Sequence, residues 1–374
     1  MSEAAAAGGE LLRRWSALVG GGEPDLFEGA LLISLLVDPG EDLDAARRTV
    51  ASLAERVRQY PSEDRLEALR SVLFDEEEFG GDRETYDDPS NSSVARVLAR
   101  RRGMPITLSI VTIEVGRRAG LALEGIGLPG HFVVGGPELG GRYLDPFDGG
   151  VVGEPEQLAQ RLAAIFGAPV ALGSNALRPD PPREILGRVL LNLRRSWEKR
   201  HRWEEALTAL DLADALEAPE PDHLRERGLL LLRCGRRDEA IAALERYAAA
   251  APDDEAETAG RLLDGARRGV PAGETGASVP RIFTLSEARA LMPRVQELTA
   301  DAVERYGRLP AEEERREVAE AWAKELSAMG LETKGLWLVD FDSGAGYYCW
   351  KYPERELGHF HSYEEGFAGR LPLT

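Results

Sequence analysis

The chain has 374 residues, 43% of them hydrophobic and 30% charged, with a formal net charge of −19. Its length exceeds one compact core and implies two or three domains. The acidic balance argues against a general nucleic-acid or membrane-surface binder, which needs a basic face.

Other exclusions follow from residue types. The two cysteines, Cys234 and Cys349, are far apart in unlike segments, so no disulfide framework is expected. Met1-Ser2-Glu3 and the alanines after it lack the basic and long apolar regions of a secretory leader. No run of about 18 apolar residues offers a membrane span. A cytoplasmic protein is the expectation. The pattern also lacks a zinc-protease helix motif, a P-loop, a dinucleotide fingerprint and a paired Cys-x-x-Cys, so no cofactor is expected.

In chain order, residues 1–9 are small and polar enough to read as disordered. From Glu10 to Phe74 the pattern is helical, with Ala30, Leu31, Leu32, Leu35 and Leu36 at helix spacing and a second such run from Ala46 to Val57. Asn91-Ser92-Ser93 can cap a helix carrying Val94, Val97 and Leu98. Gly103-Met104-Pro105 breaks the chain and starts a buried helix over Ile106–Ala119, since proline suits a first helical turn. Residues 121–152 then read as short strands divided by glycine turns. The fold class expected overall is α+β, with a first domain over residues 10–178.

Residues 183–265 read as all helix and contain a repeat. Trp203-Glu204-Glu205-Ala206-Leu207 and Arg237-Asp238-Glu239-Ala240-Ile241 are offset by 34, the tetratricopeptide period, and Gly228, Leu244 and Pro252 fall where that repeat needs them. Two repeats are fewer than a free-standing stack requires, so the array should lean on the domain before it. A linker follows over 266–281. The last domain, 282–374, should hold a helix opened by a capping box at Thr284 and Glu287, a second helix over Ala311–Met329, and two strands, Gly335–Asp340 and Tyr347–Tyr352.

Two constellations carry chemistry. His131 and Asp145 sit on consecutive predicted strands and form two thirds of a nucleophilic triad, in which a carboxylate orients an imidazole that activates a nucleophile. No cysteine precedes Cys234. Ser92 and Thr107 are the candidate hydroxyls, with Ser93 and Ser109 nearby; the plainer reading is that the pair simply locks two strands. In the last domain Asp340, Cys349, His359 and His361 are potential ligands of mixed type that would suit zinc or iron. Their spacing matches no established zinc signature, and a buried cysteine beside a tryptophan, as Cys349 is beside Trp350, is more often plain core packing.

Residues of about 10–265 resemble the bacterial SirB family, which joins a transglutaminase-like domain to tetratricopeptide repeats. The resemblance rests on Tyr86-Asp87-Asp88-Pro89-Ser90-Asn91-Ser92, Arg101-Arg102-Gly103-Met104-Pro105-Ile106-Thr107-Leu108, Gly127-Leu128-Pro129-Gly130-His131-Phe132 and Leu144-Asp145-Pro146-Phe147, and continues in Ile185-Leu186, Asn192-Leu193-Arg194 and Arg225-Glu226-Arg227-Gly228-Leu229-Leu230. It implies a papain-like α+β fold with His131 and Asp145 as the family's histidine and aspartate. It also implies that Pro105 stands where a transglutaminase carries its cysteine. Residues 282–373 resemble a bacterial domain of unknown function, through Lys334-Gly335-Leu336-Trp337-Leu338-Val339-Asp340-Phe341, Cys349-Trp350-Lys351, His361 and Gly366-Phe367-Ala368-Gly369-Arg370. The expectation is a non-catalytic binding or regulatory protein that meets a protein or peptide partner through its cleft and repeats. An amide hydrolase or acyltransferase using Ser92 or Thr107 with His131 and Asp145 is the competing expectation. A metal-binding sensor centred on the last domain is the third.

Overall fold

A computed structural model describes residues 3–128, 130–166, 178–216, 221–251, 256–269, 283, 285–343, 346–361 and 370–373. These divide into two compact units, one of Met1–Gln157 with Ser174–His223 and one of Leu158–Gly173 with Leu224–Thr374.

In the first unit the chain begins as a helix, α1 (Glu3–Val19). The expectation of disorder over residues 1–9 therefore fails from Glu3 onward. The alanine run responsible for that expectation has the highest intrinsic helix propensity of any residue type. Helices α2 (Leu26–Val37) and α3 (Leu43–Arg58) follow, capped by Asp25 and Asp42, whose carboxylates accept the backbone N–H of Glu28 and Ala45. Next come α4 (Arg65–Arg70), the short strand β1 (Gly80–Gly81), α5 (Val94–Arg100) and β2 (Arg102–Gly103).

Helix α6 (Pro105–Arg118) is buried over its first three turns, from Pro105 to Gly116. It packs against α3, α5 and the sheet. The sheet is a sequential antiparallel array of β3 (Glu124–Leu128), β4 (His131–Gly135), β5 (Tyr143–Asp145) and β6 (Val151–Gly153). The Leu128↔His131 pair closes a hairpin in which Gly130 has φ of 66°, a left-handed conformation that suits glycine.

Helix α7 covers Pro155–Phe166. Helices α8 (Pro182–Glu198) and α9 (Trp203–Leu216) complete the first unit by packing on α1 and α2. Trp15, fully buried on α1, donates its indole N–H to the Leu212 carbonyl of α9 at 2.8 Å.

The second unit holds α10 (Pro221–Arg233), α11 (Arg237–Ala250) and α12 (Ala256–Arg268). Helices α9 and α11 begin 34 residues apart, at Trp203 and Arg237. Gly228 of α10 meets Leu244 of α11 so closely that an added Cβ would lie 2.5 Å from it. Residues 266–268, expected as linker, are the end of α12; residues 270–281 lie outside the described residues, as does Pro252.

Beyond them, α13 (Leu285–Arg308) and α14 (Glu312–Ala328) precede a five-stranded sheet. Its strands are β7 (Glu332–Gly335), β8 (Leu338–Asp342), β9 (Tyr347–Lys351), β10 (His359–His361) and β11 (Leu371–Pro372), side by side in chain order. The capping threonine expected at Thr284 lies outside the described residues. The single strand expected over Gly335–Asp340 is instead a corner between two. Gly335 pairs with Leu338, and Trp337 takes a left-handed φ of 63° at the tip. Its indole lies edge-on to Tyr306 of α13 and Trp322 of α14, at 5.6 and 5.0 Å. Aromatic packing on two helices is what offsets the backbone strain.

Gly29 tests the packing of α2 on α8, because a Cβ there would lie 2.5 Å from Leu186 Cδ1. Gly29→Ala is expected to destabilise the first unit by about 1–3 kcal/mol through overpacking, read as a lower urea midpoint.

Candidate functional site

His131 opens β4 and Asp145 closes β5, so the antiparallel pairing brings together side chains 14 residues apart. His131 Nε2 lies 2.7 Å from Asp145 Oδ2. The other carboxylate oxygen accepts the backbone N–H groups of Phe147 and Asp148 at 3.0 and 3.3 Å. Asp145 is fully buried and the His131 side chain is 6% exposed.

An ionised carboxylate only accepts, so Nε2 must carry the shared proton. In the neutral imidazole that leaves a lone pair on Nδ1. No described residue hydrogen-bonds Nδ1. The arrangement therefore presents a fixed, oriented acceptor, the half of a triad that takes a proton.

Among the described residues nothing uses it. Helix α6 starts at Pro105, with Met104 as its N-cap and no capping side chain. The two candidate hydroxyls are turned elsewhere. Thr107 Oγ1 donates towards the carbonyls of Asn91 and Met104, at 2.7 and 3.1 Å. Ser92 Oγ donates to the Met104 thioether at 3.4 Å, on which the Asn192 amide also converges at 3.8 Å. Ser93 caps α5 by accepting the Arg96 N–H, and Ser109 Oγ is buried without a partner among the described residues.

Aromatic rings border the dyad. Phe147 stands edge-on to His131 at 6.2 Å and to Tyr86 at 6.0 Å, while the Arg83 guanidinium lies 4.8 Å over its ring. Gly81 permits this: a Cβ there would be 2.4 Å from the Phe147 ring. Tyr86 remains 40% exposed, yet crowding around its hydroxyl and the Asp87 carboxylate push its pKa up to about 12, so it is a hydrogen-bond donor at neutral pH.

The loop bearing Tyr86 is pinned from both sides. The Asn91 amide donates to the Thr85 and Tyr86 carbonyls, and Lys199 and Arg200, just past the end of α8, bond Asp87 at 2.8 Å each. Arg188 of α8 holds the Leu128 carbonyl at 2.8 Å beside the dyad. Tyr86, Phe147 and Arg188 carried no chemical signature in the sequence; Tyr86 and Phe147 lay inside recognisable motifs, but their role depends on tertiary placement. An open cleft of about 670 Å³ lies elsewhere in this unit, lined by residues including Glu67, Arg70, Glu138 and Arg142; neither His131 nor Asp145 borders it.

In the second unit the sheet collects three of the four candidate ligands. Asp340 of β8 and Cys349 of β9 are direct cross-strand partners, and His361 of β10 pairs with Tyr347, two residues from Cys349 on the same face. One ligand atom from each of Asp340, Cys349 and His361 lies within 4.8 Å of the others, and all three residues are buried. His359, the direct cross-strand partner of Cys349, lies outside this cluster, with Nδ1 3.8 Å from Glu354 Oε1 and a third of its side chain exposed. Burial, and then the Asp340 carboxylate, push the Cys349 thiol far above its ordinary pKa.

This geometry accords with the comparisons. Residues 44–191 match the family described as the transglutaminase-like superfamily, and residues 305–373 match an uncharacterized conserved protein family, DUF2203. A UPF0162 protein of Xylella fastidiosa is 36% identical over 232 residues, which cover 59% of this chain and 82% of that protein. The UPF0162 protein of Vibrio cholerae is 29% identical over 239 residues, covering 62% of this chain and 88% of that one. The chain belongs to the UPF0162 family. A shorter likeness of 86 residues, 38% identical, links it to F-box only protein 21 of Mus musculus, covering 22% of this chain and 13% of that protein. No helix among the described residues is long and apolar enough to cross a membrane.

Asp145→Ala would strand two backbone N–H groups and the His131 Nε2–H together. A loss of about 2–4 kcal/mol is expected by denaturant unfolding, with Asp145→Asn closer to wild type because its amide oxygen can still accept the two N–H groups.

Proposed function

We propose that this protein is a SirB-type, transglutaminase-like binding or regulatory protein rather than an acyl-transfer enzyme. The observation that carries the reading is the dyad itself: His131 is oriented by Asp145 at 2.7 Å, while the helix that should supply a thiol begins at Pro105. Proline offers neither thiol nor hydroxyl, so the dipole and imidazole that would activate a cysteine have nothing to act on.

In this reading His131 Nδ1 accepts a hydrogen bond from a peptide or small polar ligand. Tyr86 and Phe147 supply the apolar contact, and the Tyr86 hydroxyl adds a donor. The helices of residues 183–265, with their 34-residue offset, act as tetratricopeptide-like repeats, and those of the second unit, α10 to α12, offer a further contact surface for a protein partner. The hydrolase or acyltransferase reading would require Ser92 or Thr107 to leave its present acceptors and turn to the imidazole.

Two experiments test the proposal. No turnover of a panel of peptide amides and activated esters is expected; turnover that vanishes in His131→Ala would overturn the binding reading. Pro105→Cys restores a thiol at the inferred nucleophile position. Its alkylation by iodoacetamide should exceed that of Pro105→Cys/His131→Ala by about tenfold or more at neutral pH, because the imidazolium lowers the thiol pKa. Equal rates in the two variants would remove the inherited-triad account of the site.

A further inference from the structure

We propose that Asp340, Cys349 and His361 form a zinc site in the second unit, independent of the His131 dyad. Each ligand comes from a different neighbouring strand, β8, β9 and β10, so the sheet's hydrogen bonds fix their spacing before any ion arrives. His361 Nε2 and Asp340 Oδ2 are 3.5 Å apart. Bonds of about 2.0–2.3 Å around a tetrahedral zinc set its ligand atoms about 3.3–3.8 Å from one another. The remaining separations, within 4.8 Å, need side-chain shifts of about 1 Å to reach that range.

Burial supplies the second argument. Asp340 and Cys349 are fully buried and His361 is 1% exposed. Both carboxylate oxygens of Asp340 are sealed from solvent without a well-formed hydrogen bond. With nothing closer to it than the 3.5 Å approach of His361 among the ion pairs of the described residues, such a buried group is costly, and a bound cation removes that cost. Arg370 Nη1, 3.9 Å from Cys349 Sγ and 2.9 Å from Glu354 Oε1, adds positive charge beside the sulfur.

Ligand chemistry selects the ion. Magnesium and calcium take oxygen ligands and have little use for a thiolate. One carboxylate, one thiolate and one imidazole suit zinc. Three protein ligands leave a fourth position; among the described residues no other histidine, cysteine or carboxylate joins the 4.8 Å cluster, and water or an incoming donor would occupy it. On binding, the Cys349 S–H proton passes to solvent as the sulfur bonds the metal, with no change of oxidation state.

Full-length protein, stripped with EDTA and titrated with Co²⁺ and then Zn²⁺, tests the site. About one equivalent of Co²⁺ should give a thiolate-to-cobalt charge-transfer band and the strong visible bands of four-coordinate cobalt, both bleached by Zn²⁺. Cys349→Ser should abolish the charge-transfer band and Cys234→Ser should retain it. Asp340→Asn and His361→Gln should each weaken Zn²⁺ binding about 100-fold or more, since even outer contacts to metal ligands cost 10–100-fold. Absence of the charge-transfer band from the wild-type protein sinks the proposal whatever the variants do. So does a band that persists in Cys349→Ser, or Zn²⁺ binding that survives all three ligand substitutions.

Discussion

The buried hydrogen bond between His131 and Asp145 organises the first unit. Asp145 spends one oxygen on the imidazole and the other on the backbone N–H groups of Phe147 and Asp148, so a single carboxylate sets a ring orientation and a turn together. The turn places Phe147 against His131 and Tyr86. Gly81 lets that ring close, and α6 underlies the sheet. Every element near the dyad is thus positioned by contacts that survive without a nucleophile. The carboxylate thus has a structural task, holding the turn, that is separate from any proton transfer.

Met104 shows what fills the helix start. Its thioether receives the Ser92 hydroxyl, with the Asn192 amide at the edge of reach, while its carbonyl receives Thr107. Sulfur is a weak acceptor, so the Ser92 contact holds the hydroxyl by exclusion from better partners as much as by its own strength. The hydroxyls of Ser92 and Thr107 are thus engaged locally, on Met104 and Asn91.

How much of this was legible in the sequence depended on how local the deciding force was. Proline at a first helical turn and serine at a cap act within a few residues, and α6 begins at Pro105 and α5 is capped by Ser93 as those rules require. The approach of His131 to Asp145 followed from two short strands joined by glycine turns. Other features had no local signal. The directions of the Ser92 and Thr107 hydroxyls depend on Met104 and Asn91, brought near by tertiary packing. Alternation put His359 and His361 on one face, but only their surroundings separate them, with Glu354 drawing His359 outward. The Leu336–Trp337 corner carries no turn residue of its own and tryptophan favours strands, whereas two helices supply the rings that stabilise the turn.

Strand order carries a kinetic consequence. In the two larger sheets each strand lies beside its predecessor in the chain, β3 to β6 in one and β7 to β11 in the other. Pairings of this kind close short loops, and loop-closure entropy grows only with the logarithm of loop length. Low contact order of this type favours rapid assembly. The histidine–aspartate contact spans 14 residues and the Asp340–Cys349 pairing nine, so each of these two pairs can be gathered by its own hairpin early in folding, before the surrounding helices dock.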